Sequence, residues 1–243
     1  YHSVYKGPKI GYLVWESTRM DENFFNLWNT FDQLWVASKW QRQCAIEQGA
    51  KPEKVKVVPE AVDGNLFKPD PKVKLPDFDD GRFKFMHFGR WDYRKSTREL
   101  VEAFLDEFNP DEPVDLILSI DNFYAKDGLK NTEERLKHYK LDDPRLKILH
   151  FPSREDYVKY LQSGNVFLSC ARSEGWNLPL IEAMACGTPS IYSNCSGQLE
   201  FAEGLGLPVK ISHMEPAQRG EYSSFHRHLI RGEFYEPDFK DLR

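Results

Sequence analysis

The feature that most constrains this chain is the regular alternation of strand-like and helix-like stretches along its 243 residues. After Gly81, RFKFMHFG reads as a strand. STRELVEAFLDEF follows, with Leu100, Val101, Phe104, Leu105 and Phe108 on one amphipathic stripe and Ser96 or Thr97 as the expected cap. VDLILSI, LKILHF, NVFLSCA and TPSIYSN read as further strands, the last closing the series. TEERLKHYK, SREDYVKYLQSG and LPLIEAMACG are the helices between them, with Ser153 and Gly164 bracketing the second. Repeated strand-then-helix units with short connections build parallel sheets covered by helices on both faces. The expected fold class is therefore α/β, with doubly wound, Rossmann-like parallel sheets.

A shorter series precedes this one. KIGYLVW, QLWVAS and KVKVV read as buried strands, and SKWQRQCAIEQG as a helix capped by Ser38 and ending near Gly49. Between the two series, VPEAVDGNLFKPDPK and KLPDFDDG are punctuated by proline and aspartate, as expected of a crossover. The division expected is residues 1–72 as the tail of one lobe with its crossover, and 78–243 as a nearly complete second lobe. Three strands are few for an independent doubly wound lobe. The start at Tyr1 and the end in EFYEPDFKDLR, where a helix could be starting, both read as cuts in a longer polypeptide.

Composition narrows the function classes. Thirty-three Lys+Arg against 38 Asp+Glu leave a net charge of −5, which gives no general basic surface for nucleic acid. No apolar run approaches the ~18 residues of a membrane span. Cys44, Cys170, Cys186 and Cys195 show neither a disulfide framework nor metal-ligand spacing, so a reducing cytoplasm is the expected setting.

Two loops could carry chemistry. In HFGRWDYRKS, Gly89 ends a strand, and Arg90 and Lys95 follow before the next helix. A forked guanidinium and an ammonium at a strand's carboxyl end suit a diphosphate. Arg94 is a third candidate there but reads foremost as a solvated loop charge, and Arg90 and Lys95 could alternatively pair with Asp92 or Glu99. In SEGWNLPLIEAMACGTPSI, a strand runs through a turn at Gly175 into a helix starting near Leu178 or Pro179. Its free first-turn N–H groups and its dipole can hold a phosphate. Glu174 and Glu182 flank that start, and carboxylates beside an anion are better used to accept hydrogen bonds from hydroxyls. The plain alternative is a turn cap and a decorated helix face.

Together the two loops resemble the donor site of retaining glycosyltransferases of family 4, which have the two-lobed GT-B fold. The likeness rests on Gly89-Arg90, Lys95, and the carboxylate-x7-carboxylate pair Glu174 and Glu182 within EGWNLPLIEAMACGTPSI. It extends to SNCSGQLE, where Glu200 matches a glutamate often found there, and upstream to DQLWVASKWQRQCAIEQGA and VKVVPEAVDGNLFKP. The resemblance implies a metal-independent enzyme with no cofactor, whose substrate is a UDP- or GDP-type nucleotide sugar. It implies that Arg90 and Lys95 hold the diphosphate, Glu174 the donor sugar and Glu182 the ribose. Gly89 belongs to the binding loop, and the backbone of Gly175, Trp176, Asn177 and Leu178 would meet the distal phosphate. The acceptor, whether glycan, lipid-linked or protein, stays open. Departures are Ser96 where the family has glycine after the lysine, and Phe151-Pro152 near the base pocket. The glycine-rich loop and the histidine of the early acceptor lobe are absent from these residues.

Three further readings complete the sequence. Trp15-Glu16 could line the cleft between lobes, or equally be a buried Trp followed by a turn Glu. His87 and His150 fall at strand ends facing that cleft, although each also reads as a plain structural histidine. FHRHLIRGEF (225–234) reads foremost as a solvated face, with a basic patch for an acidic partner or for the inner face of a membrane as the alternative. The functional alternatives are a donor-binding module without transfer activity and a sugar-nucleotide epimerase of the same fold.

Overall fold

A computed structural model of the protein describes residues 6–75, 78–124, 128–129, 131–151, 153–218 and 229–243. The first unit holds β1 (Ile10–Leu13), β2 (Arg19–Met20), α1 (Glu22–Trp28), β3 (Gln33–Val36), α2 (Lys39–Glu47) and β4 (Val55–Val57). β1, β3 and β4 form a parallel sheet in that order. Ser38 caps α2 by accepting from the Gln41 backbone N–H, and Gly49 leaves the helix at a φ of +114°. Helix α1 was not anticipated. Asp21 caps it, and Phe25 and Trp28 bury its inner face.

The second unit runs β5 (Phe83–Phe88), α3 (Thr97–Glu107), β6 (Val114–Ser119), α4 (Thr132–His138) and β7 (Leu146–Ile148). It continues with α5 (Arg154–Ser163), β8 (Val166–Ser169), α6 (Leu178–Ala185), β9 (Ser190–Ser193), α7 (Leu199–Ala202) and β10 (Leu207–Val209). These six strands make one parallel sheet in the order β10-β9-β8-β5-β6-β7. Two apolar layers cover it. Leu100, Val101, Phe104, Leu116 and Leu118 anchor one, and Met86, Ile117, Leu161, Phe167 and Leu180 the other. Burial on both faces explains the largely apolar run of β6, whose Asp115 is buried against Lys84 of β5 at 2.7 Å.

The chain then differs from the expected closure. TPSIYSN is not the last strand, because β10 adds beyond it, followed by β11 (Ile211–Pro216), β12 (Ile230–Arg231), β13 (Glu233–Pro237) and α8 (Phe239–Leu242). β11 and β13 pair antiparallel, while β12 returns to the first unit and pairs with β2. The Trp40 indole N–H also donates to the Tyr235 hydroxyl at 3.0 Å, so the carboxyl-terminal residues belong to both units. Ser96 does not cap α3 with its side chain. It sits in the left-handed region at a φ of +52°, a conformation in which glycine is unstrained, and this is where the resemblance expects glycine. His226, Arg227 and His228 of the basic stretch lie outside the described residues, and Arg231 pairs with Asp21.

Candidate active site

Strand order locates the site before any side chain does. From β5 the chain moves outward through β6 and β7, then jumps back to β8 and outward through β9 and β10. The reversal lies between β5 and β8, and open α/β sheets bind ligands beyond the carboxyl ends of strands at such a switch point. The loop after β5 carries Gly89 to Ser96, and the loop after β8 carries Cys170 to Asn177. Both candidate loops therefore face one crevice.

That crevice is a cavity of about 400 Å³ lined by Gly89, Arg90, Arg94, Lys95, Glu174, Trp176, Asn177, Leu178 and Pro179, with Val14, Glu16 and Glu60 from the first unit and crossover. Asp92 caps the short 3-10 turn Tyr93–Lys95 by accepting from the Arg94 backbone N–H. This turn sends Lys95 toward Glu174, whose carboxylate it meets at 2.5 Å. The Arg90 side chain is half-buried and, among the described residues, has no hydrogen-bond or ion-pair partner. Glu99 pairs with Arg172 instead of either loop cation.

Arg94 corrects the sequence reading. It is no solvated charge but 4% exposed, and it donates to the Ser173 carbonyl at 2.7 Å. Its two terminal nitrogens pair with Glu174 at 2.9 Å and Glu16 at 3.0 Å. Burial alone would lower the guanidinium pKa, yet the two carboxylates push it up. Burial likewise opposes ionisation of Glu174, but Arg94 and Lys95 hold its carboxyl below the usual range. Glu16 is pushed the other way, by burial and by the Glu174 charge.

The turn before α6 is tightly built. A Cβ on Gly175 would come within 2.5 Å of a Val14 methyl and 2.8 Å of the Trp15 carbonyl oxygen; one on Gly197 would fall 2.0 Å from the Gly175 carbonyl oxygen. Gly175 thus packs against the first unit and does not line the cavity. Asn177 adopts a φ of +85°, its amide donating to Ser169 and Gln198. The Ser173 hydroxyl, the Trp176 indole N–H and the Asn177 side-chain oxygen are all buried without a partner among the described residues. Unfilled hydrogen-bonding capacity is unusual enough in a folded core to need a reason, and three such atoms fall within five residues of this turn.

Glu182 is 4% exposed and absent from the cavity lining. Arg154, at the start of α5, pairs with it, and the Tyr157 hydroxyl donates to it at 2.7 Å. The residue expected to meet a ribose is thus already engaged by two donors. Glu200 bridges the units, accepting from the Lys39 backbone N–H at 2.9 Å and pairing with its ammonium at 3.0 Å. Arg172, at 2% exposure, ties the cation-bearing loop down. It donates to the Tyr93 carbonyl and the Ser96 hydroxyl, lies over the Tyr93 ring, and pairs with Glu99, Glu215 and Glu236.

Neither histidine serves the cleft. His150 is exposed beside Asp121 at 3.3 Å. His87 lies inside the sheet at 3% exposure, its Nδ1 2.9 Å from the Leu168 carbonyl and its Nε2 3.4 Å from the Thr97 hydroxyl. A carbonyl only accepts, so neutral His87 carries its proton on Nδ1. Burial pushes its pKa down to about 4. The unfolded chain then takes up a proton near pH 6.5 while the folded chain does not, so stability present above that pH is lost as pH falls toward 4. We expect His87 to account for roughly 2–3 kcal/mol of the loss between pH 7 and 4.5. Urea midpoints for the wild type and His87→Gln test this, and equal losses for the two proteins would remove His87 as the cause.

A family model described as glycosyl transferases group 1 matches residues 72–204, more than half of the chain. The chain belongs to that family. This group 1 glycosyltransferase chain is similar to a phosphatidylinositol N-acetylglucosaminyltransferase subunit of Arabidopsis thaliana, at 24% identity over 198 residues, 81% of this chain and 41% of that protein. It is similar to Anabaena Alr3699/HepE, solved in complex with UDP and glucose, with a TM-score of 0.65 and 23% identity over 79% of this chain and 54% of that one. The sucrose-phosphate synthase of Thermosynechococcus elongatus superposes with a TM-score of 0.60 at 25% identity, covering 78% of this chain and 49% of that one. The fold is thus α/β of the GT-B type. The group 1 chain spans about half of these structures' length and between 17% and 41% of the curated relatives it matches. Among the described residues no helix is long and apolar enough to cross a membrane.

Proposed function

We propose that this chain is the donor-binding part of a retaining, family 4 glycosyltransferase that moves a sugar from a nucleoside diphosphate sugar, of UDP type, to an acceptor. The observation that carries this reading is the switch-point cavity, where two cations converge on one side and an ionised, buried carboxylate faces them. Arg90 and Lys95 bind the diphosphate and stabilise charge on the departing nucleotide. Glu174 accepts hydrogen bonds from the sugar hydroxyls, and the orphaned polar atoms of Trp176 and Asn177, which line the cavity, take up further bonds when the ligand fills it. The first turn of α6 meets the distal phosphate through its N–H groups.

The UDP reading is supported by the ligands named for the Anabaena structure and by the fixed cations. Those cations supply the charge neutralisation for which a metal would otherwise serve, so we propose metal-independent transfer. Transfer itself belongs to the whole protein. Calorimetry of this chain with UDP, UDP-glucose, UDP-N-acetylglucosamine, GDP and GDP-mannose is expected to show binding of a uridine ligand, unchanged by EDTA. If none of the five binds, the proposal fails. Products of the full gene product, analysed for anomeric configuration, decide retention.

A further inference from the structure

Lys95 faces two anions at once under the proposed function. In the structure its ammonium sits on Glu174 Oε1 at 2.5 Å, yet a bound diphosphate calls on the same ammonium. Glu174 is 3% exposed, and a carboxylate that loses its counter-charge in such a place either takes up a proton or moves. Arg94 answers this. Its Nη1 holds the same Oε1 at 2.9 Å, and it is anchored independently by the Ser173 carbonyl at 2.7 Å. Glu174 Oε2 is left without a partner among the described residues. The backbone N–H of Glu174 is fixed as well, donating to the Ser196 hydroxyl at 2.9 Å.

The other end of Arg94 reaches the first unit. Its Nη2 lies 3.0 Å from Oε1 of Glu16, which follows β1. The guanidinium is planar, so fixing one nitrogen on Glu16 fixes the direction in which the other meets Glu174. Both terminal nitrogens are committed to protein carboxylates, and the side chain is 5% exposed, which leaves it to act through Glu174 rather than on the ligand.

We propose that Arg94 is a positioning residue that keeps Glu174 ionised and aims its free oxygen at the donor sugar once Lys95 turns to the diphosphate, with Glu16 of the first unit holding Arg94 in register. This rests on the donor-site reading above and adds to it a division of labour. Arg90 and Lys95 recognise the nucleotide end of the ligand; the Glu16–Arg94–Glu174 chain recognises the sugar end. Sugar recognition in the second unit therefore depends on a carboxylate supplied by the first.

The test compares two affinities, measured by calorimetry on the full chain: a nucleoside diphosphate, UDP or GDP, and its sugar form, UDP-glucose, UDP-N-acetylglucosamine or GDP-mannose. Arg94→Met is expected to weaken the sugar nucleotide about tenfold more than the parent diphosphate, the scale of one charged hydrogen bond. Arg94→Lys should recover part of that difference, and Glu16→Gln should shift the ratio the same way by about threefold. A merely structural role would weaken both ligands alike, so equal losses in Arg94→Met overturn the proposal. Should Arg94→Met fail to fold, Glu16→Gln decides alone, and an unchanged ratio there is equally fatal. Failure of the donor-site reading looks different: Arg90→Ala with Lys95→Ala would leave diphosphate binding untouched, whatever Arg94 does.

Discussion

Replacing Arg172 by Met is expected to cost about 3–5 kcal/mol of folding stability, the range for removing one partner of a buried ion cluster. The guanidinium is 2% exposed and serves three carboxylates: Glu99 at 3.1 Å, Glu215 at 3.2 Å and Glu236 at 2.5 Å. Met replaces the aliphatic stem but not the guanidinium that lies over the Tyr93 ring, so the loss is chiefly, not wholly, electrostatic. Three acidic side chains would remain in a pocket built around one cation, and Glu236 is already pushed up by burial while Arg172 still stands beside it. The same change takes the guanidinium away from the Tyr93 carbonyl and the Ser96 hydroxyl, two anchors of the loop that presents Arg94 and Lys95. Urea denaturation followed by tryptophan fluorescence measures the cost. A loss under about 1 kcal/mol would match a surface pair and contradict the burial argument. Adding Glu236→Gln to Arg172→Met should restore part of the stability, because it removes one of the stranded charges.

Removing both Arg90 and Lys95 has the largest expected effect on ligand binding. A hydrogen bond to a charged group contributes about 1.5–3 kcal/mol, so the double Ala variant is expected to lose roughly 3–6 kcal/mol of diphosphate affinity. That is between two and four orders of magnitude in Kd. The single changes should be unequal. Arg90 has no protein partner to leave behind among the described residues, so Arg90→Ala reads the lost contact directly. Lys95→Ala also uncovers Glu174, although Arg94 remains beside it. The affinity lost in the double variant should shrink at high salt, because part of the cations' contribution is long-range attraction that salt screens. Titrations with UDP at two ionic strengths check this, and a double variant within threefold of the wild type would place the diphosphate elsewhere.

The parallel sheet was legible because buried parallel strands and amphipathic helices write their periods locally, as in FKFMHF and LVEAF. The Ser38 and Ser153 caps were legible for the same reason: a cap needs only its own next turn. What escaped depends on partners far along the chain. Nothing within RWDYRKS distinguishes Arg94 from Arg90, since the burial of Arg94 is decided by Glu16 and Glu174, 78 and 80 positions away in either direction. Likewise β2 and β12 are two residues each, and only their pairing makes them strands. Helix α1 is a different failure, because Asp21 ahead of Phe24, Phe25 and Trp28 does carry a cap and a stripe. Glu182 shows the converse. Its spacing from Glu174 was plain, but its present partners, Arg154 and Tyr157, come from a helix whose position the tertiary fold alone decides.

The pairing of β2 with β12 carries a consequence for biogenesis. Met20 meets Ile230 across 210 positions, so the first unit acquires that pairing only after nearly all of the second has left the ribosome. Protein synthesis proceeds from the amino end at roughly 5–20 residues per second. During that interval the β2 edge waits unpaired, while the six-stranded sheet assembles downstream. A polypeptide that stops before Ile230 never forms that pairing, and its β2 edge stays open to other strands.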